Sequence, residues 1–129
     1  MKKIIFLASI ISFIIFSYIS AFAQSNFKFD KTTHDFGNVA EGKDTLWVDF
    51  KFVNDGNEPL LISDVKTSCD CTLAQWPKSA IQPGKSGIIK GGFKIEGKSN
   101  AFNKNIIIVA NTMPATNILT MQGNIIPKK

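Results

Sequence analysis

Leu46-Trp47-Val48-Asp49-Phe50-Lys51-Phe52-Val53-Asn54-Asp55-Gly56-Asn57-Glu58-Pro59-Leu60 decides the fold. Leu46, Val48, Phe50 and Phe52 alternate with Trp47, Asp49, Lys51 and Val53. Side chains point to opposite faces of a strand in turn, so this pattern predicts a strand with one face in a core. The strand stops at Asn54-Asp55-Gly56-Asn57-Glu58-Pro59. Asn, Asp and Gly tolerate positive φ, and Pro59 cannot continue a ladder. Leu60 to Val65 then predicts the next strand. Working outward, Phe27 with Phe29, and Phe36 to Val39, predict two short strands upstream. Downstream, Ile81-Gln82-Pro83-Gly84 is a second turn signal. It precedes strands predicted at Gly87 to Ile95, Asn105 to Ala110 and Asn117 to Ile126. Helical periodicity is absent after residue 23. About seven short strands with regular turns predict an all-β fold, an immunoglobulin-like β-sandwich; an open barrel is the competing architecture. Phe50, Phe52, Leu60, Ile62, Ile107 and Val109 are the expected core. The unbroken run Ile106-Ile107-Ile108-Val109 is expected in a central strand covered on both faces.

The amino terminus has a different character. Lys2 and Lys3 precede an almost wholly apolar stretch, Ile4 to Ile19, and Ala21-Phe22-Ala23 has the small-x-small form of a signal-peptidase site. The expected organisation is a signal peptide, residues 1–23, and one domain, residues 24–129. An uncleaved membrane anchor is the alternative; the apolar stretch is near the lower limit for spanning a bilayer. Export places the domain in the periplasm or outside the cell, with no membrane attachment after cleavage.

The expected mature chain carries 13 lysines against 10 acidic residues, a net of +3, and no arginine. Bidentate grips on phosphate or guanine are an arginine property, and these lysines are scattered. No nucleic-acid partner is expected. Seven of the eleven phenylalanines follow residue 23, which points to a packed core. Ser68 has no Gly-x-Ser-x-Gly context, no acid pair is apparent, and the glycines lack the strand-to-helix setting of a phosphate loop. The chain is read as non-enzymatic.

The chemistry-bearing feature is Thr67-Ser68-Cys69-Asp70-Cys71-Thr72, which holds the only two cysteines. In a regular strand, residues i and i+2 share a face but sit too far apart for a relaxed disulfide, whose Cβ atoms want to be about 3.8 Å apart. A bond between Cys69 and Cys71 therefore needs a bend. Its closed loop is very short, so its stabilisation is small. Three readings stay open: a reducible disulfide, a metal site, or two inert thiols. If a metal is held, copper(I) fits two soft ligands better than zinc, which wants four. Otherwise no cofactor is expected. His34, the only histidine, is the candidate third ligand. Trp47 and Trp76 are candidate partner anchors. Trp76, beside Pro77, is preferred, and is expected partly exposed at the cysteine end of the domain.

These residues resemble a known family. His34-Asp35-Phe36-Gly37, Glu41-Gly42, Phe50-x-Phe52-x-Asn54-x-Gly56-x-x-Pro59-Leu60-x-Ile62, Ser68-Cys69-x-Cys71-Thr72, Ile81-x-Pro83-Gly84-x-x-Gly87 and Gly123 are similar to small exported bacterial domains. They are the domain-of-unknown-function family numbered 1573, akin to the immunoglobulin-like domains of Hydin and the major sperm proteins. Where that family has glycine between the cysteines, this chain carries Asp70, which sets a carboxylate beside the sulfurs. The resemblance implies fold and export and brings no activity. The expected function is an exported binding or scaffolding module with an unidentified protein partner. The alternative is a copper(I)-binding or thiol-redox protein using Cys69 and Cys71.

Overall fold

The computed structural model describes residues 2–16 and 23–128. Ala21 and Phe22 of the expected cleavage site lie outside the described residues. An α-helix, α1 (Lys2–Phe16), is followed by eight strands. These are β1 (Phe27–Phe29), β2 (Thr33–Ala40), β3 (Thr45–Asn54), β4 (Ile62–Thr67), β5 (Thr72–Gln75), β6 (Ser86–Lys94), β7 (Asn100–Ala110) and β8 (Thr116–Ile126). Ile4, Ile5 and Phe6 of α1 are exposed and add nothing to the core. Among the described residues, no helix is long and apolar enough to cross a membrane.

The strands form two four-stranded sheets, ordered β1-β3-β6-β5 and β2-β8-β7-β4. All pairings are antiparallel except β2 with β8. The sheets face each other across one core, as an immunoglobulin-like sandwich requires. β3 supplies Val48, Phe50 and Phe52; β6 supplies Ile89 and Phe93. Ile106 and Ile108 of β7, and Leu119 and Met121 of β8, close the core from the other side. Phe93 stacks on Phe102 with ring centroids 4.4 Å apart, so aromatic packing joins the two sheets.

The predicted strands are all present, with two corrections to their detail. β5 adds a strand absent from the sequence reading, and Leu60 sits outside β4, bridging Ile81. Ile107 and Val109 are only half-buried and face outward, while Ile106 and Ile108 are buried. A two-layer sandwich leaves the back of each sheet open to solvent, and among the described residues no third layer covers β7. Gly37 marks the register shift between Asp35 and Asn38 in β2, where its N–H donates to the Asp35 carboxylate at 2.7 Å.

Two asparagines, Asn54 buried and Asn111 at the surface, fix one end of the sandwich. The fully buried Asn54 side chain donates to the carbonyls of Glu58 (2.7 Å) and Ile81 (2.9 Å), and accepts from the N–H groups of Gly56 (3.0 Å) and Asn26 (3.3 Å). The Asn111 side chain accepts from the Leu61 N–H at 2.8 Å and the Ser25 hydroxyl at 3.0 Å, and donates to the Pro59 carbonyl at 2.9 Å. The strap before β1 is drawn into this network. Asn57 N–H donates to the Gln24 carbonyl, and Gln24 N–H donates to the Asn57 side chain. A Cβ at Gly56 would run into the backbone of Gln24 and Ser25, so glycine is what lets the strap close.

Candidate functional site

The two cysteines lie where the chain leaves one sheet for the other. β4 pairs with β7 through Thr67 opposite Ile106, and the Ser68 N–H still reaches the Asn105 carbonyl at 3.3 Å. The chain then turns. Thr72 N–H donates to the Cys69 carbonyl at 3.1 Å, and Lys94 N–H donates to the Cys71 carbonyl at 2.8 Å, which starts β5 against β6. This turn supplies the bend that the spacing demanded. Cys69 and Cys71 are joined as a disulfide, with their Cα atoms 5.2 Å apart. Cys69 Sγ lies 3.4 Å from the Thr72 hydroxyl, Cys71 packs against the core, and Asp70 is exposed. Both sulfur-bearing residues remain half-exposed. The chemistry available here is two-electron reduction of the bond to two thiols, with uptake of two protons. As a disulfide the pair offers no thiolate to a metal.

His34 is held elsewhere. It pairs with Met121, which pairs with Lys104, at the level where β7 approaches the Cys69 turn. β2 and β4 are the opposite edges of their sheet. Three strand spacings, about 14 Å, separate His34 from the cysteine edge, too far to share a metal ion with them. Its Nδ1 lies 2.6 Å from Lys31 Nζ, and its ring meets Phe36 edge-on. Burial, and secondarily the Lys31 charge, lower its pKa below the usual 6.5, with Asp35 opposing. Among the described residues, no three His, Cys, Asp or Glu side chains are grouped to hold a metal.

The two tryptophans are also separated. Trp76 follows β5, half-buried against the core, with Lys78 Nζ 3.1 Å from its ring centroid. Five residues of nearly extended chain, roughly 16 Å, set it apart from Cys71, so it is not at the cysteine end. Trp47 is the exposed one, at 44%. A shallow groove of about 790 Å³ opens where the strap meets the asparagine network. Gln24, Pro59 and Asn111 line it, with Leu61 (45% exposed) and Met113 (78% exposed) on its rim. The sequence held no local signal for this groove, because the strap and the β7–β8 turn meet only in the fold.

The match that decides the family runs over nearly the whole sandwich. A family model described as "Protein of unknown function (DUF1573)" covers residues 27–125. The chain belongs to the DUF1573 family. No curated protein matches it. Solved structures extend the likeness at the level of fold. A protein of unknown function from Porphyromonas gingivalis W83 is 21% identical, with TM-score 0.68, over 84% of this chain and 50% of its own. This DUF1573 chain thus spans about half the length of that protein. The ASH / PapD-like domain 7 of human CEP192 is 7% identical, with TM-score 0.66, over 87% of this chain and 93% of its own. The Vibrio cholerae VesB protease is 10% identical, with TM-score 0.59, and the match takes in 31% of its chain. At these identities the shared property is the sandwich, which agrees with the immunoglobulin-like resemblance read from the sequence.

Proposed function

We propose that this DUF1573 chain is an exported, non-enzymatic module that binds a protein partner, and that the groove beside the strap is the contact surface. The observation carrying this reading is the combination of exposed Leu61 and Met113 with a floor whose polar groups already bond one another. Ser25, Asn54 and Asn111 hold the groove walls through side-chain hydrogen bonds, so docking would order little and desolvate few unpaired groups. The fold shared with a PapD-like domain supports a binding role. The exposed apolar side chains Ile4, Ile5, Phe6, Leu7, Ile10 and Ile11 of α1 support removal of residues 1–23 as a signal peptide and a periplasmic or extracellular home. Trp76, half-buried after β5, is a second candidate anchor.

The test is site-specific photo-crosslinking in the cells that make the protein. A photoreactive group at Leu61 or Met113 should give one discrete adduct, and the same group at Ile118 none. Adducts of equal yield at all three sites would sink the groove as the contact surface.

A second reading rests on the half-exposed bonded pair. Cys69 and Cys71 exchange electrons with a thiol–disulfide partner, and copper(I) ligation is open to the reduced form alone. Thiol trapping of the protein from its own compartment separates the readings: a mixed population of reduced and oxidised forms favours the redox role.

A further inference from the structure

The outward positions of β1-β3-β6-β5 carry a different surface from the groove. In register across the sheet, Trp47 pairs with Gly92, and Gly92 pairs with Leu73. A Cβ placed on Gly92 would meet three adjacent atoms of the Trp47 six-membered ring at 2.6, 2.8 and 3.0 Å. Near-equal distances to consecutive ring atoms mean that the ring lies face-down on the glycine. The indole thus covers the bare backbone with one face; the residue stays 44% exposed, with Lys90 Nζ 5.9 Å from the ring centroid. Covering a glycine with an aromatic from the next strand is itself a packing device. It does not account for the charges around it. Lys90 and Lys94 flank Gly92 at two residues to either side, about 7 Å each along the strand. Within the four strands, Lys28, Lys51, Lys90 and Lys94 face outward against Asp49 alone.

We propose that this face binds an acidic polysaccharide, with a sugar ring stacked on Trp47 and its carboxylates on Lys90 and Lys94. A pyranose presents a flat C–H face to a flat indole, and the neighbouring hydroxyls meet Asp49 and Gln75, which share a register row with Lys90. Charge complementarity selects an acidic chain over a neutral one. The chemistry does not suit nucleic acid. A single-strand platform uses successive aromatics, and here one indole stands alone; phosphate forks use arginine, and the chain has none. Nor is a pocket needed, because β3 and β6 pair over nine positions, a straight track of about 30 Å for an extended chain.

Affinity electrophoresis of the full chain tests this, in gels containing polygalacturonate, dextran or no polymer. The expected result is retardation by polygalacturonate and not by dextran, lost by about 0.3 M salt as exposed charges are screened. Trp47→Ala should weaken it about tenfold or more, as for a central aromatic anchor, and Trp47→Phe should recover part. Lys90→Gln with Lys94→Gln should weaken it similarly, and Gln122→Ala on the other sheet should not. Circular dichroism and thermal melts of each variant separate binding loss from unfolding. Absence of retardation overturns the proposal. So does equal retardation by dextran, retardation by DNA that matches polygalacturonate, or binding that Trp47→Phe and the lysine variants leave unchanged in folded protein. Self-association that vanishes in Trp47→Ala, without any retardation, assigns the face to a second copy and also overturns it.

Discussion

The two sheets turn very different backs to solvent. On β2-β8-β7-β4 the outward polar groups bond each other from strand to strand. Thr120 donates to Asn105 at 3.1 Å, Gln122 to Asp35 at 3.3 Å, and Asn124 to Asn38 at 3.3 Å. On β1-β3-β6-β5 a tryptophan lies open and the lysines have one acid among them within the strands. Both faces are equally compatible with the sandwich, because neither contributes to the core. The lesson is that polar groups already bonded strand to strand have little left to offer, while an exposed ring among lysines that outnumber the acids within their strands offers binding chemistry. Fold stability should therefore be insensitive to both backs and sensitive to the shared interior.

The strongest way to break that comparison is to show that a back matters as much as the interior. Phe50→Ala, beneath the Trp47 face, should cost about 3–5 kcal/mol in a denaturant melt. Ile106→Ala should cost about 2–5 kcal/mol, while its neighbour Ile107→Ala, on the ladder face, should cost about 1 kcal/mol or less. Equal losses at Ile106 and Ile107 would mean that the ladder face is covered.

The asparagines sharpen the same contrast. Asn54→Ala removes four part-buried hydrogen bonds, each worth about 0.5–1.5 kcal/mol net, so a total of roughly 3 kcal/mol is expected. Asn124→Ala, on the ladder, should stay within about 0.5 kcal/mol of the parent. Replacing both Cys69 and Cys71 with serine should cost under about 2 kcal/mol, because the closed loop is so short. Failure of that variant to fold would make the disulfide a structural element.

The smallest effect concerns His34 at the edge of the ladder sheet. Its folded pKa is lowered, so the unfolded chain binds the proton more readily. Its contribution is therefore complete above about 6.5 and declines as pH falls below that value toward the folded pKa. Thermal melts from neutral pH into the acid range should show a shallow loss of stability that His34→Gln reduces. An unchanged slope in the variant would place the acid sensitivity elsewhere.

What the sequence made legible follows from the reach of its signals. In Leu46 to Val53, Leu46, Val48, Phe50 and Phe52 face the core as read, with Trp47 and Val53 on the outward side. Asn54 to Pro59 is a turn for local reasons. In Ile106-Ile107-Ile108-Val109 every residue is apolar, so periodicity cannot tell inside from outside; Ile106 and Ile108, not Ile107 and Val109, are the inward pair. Thr72-Leu73-Ala74-Gln75 is too short to announce a strand; its identity comes from pairing with β6, fifteen or more positions away. Separation of His34 from the cysteines depends on strand order, which no local pattern encodes. The indole over Gly92 likewise depends on register between β3 and β6. The candidate sites were harder to read than the fold because each one joins segments distant in the chain.

The parallel pairing of β2 with β8 sets an order of events. Thr33 lies beside Thr120, 87 positions later, and β2 has no other strand partner. Such contacts close some of the long loops of the domain, and loop closure of this kind slows folding. A chain that emerges from any pore amino end first must hold β2 unpaired until its final strand arrives. The sandwich is then completed as the last act of emergence, with the first long strand waiting on the last one to be let go.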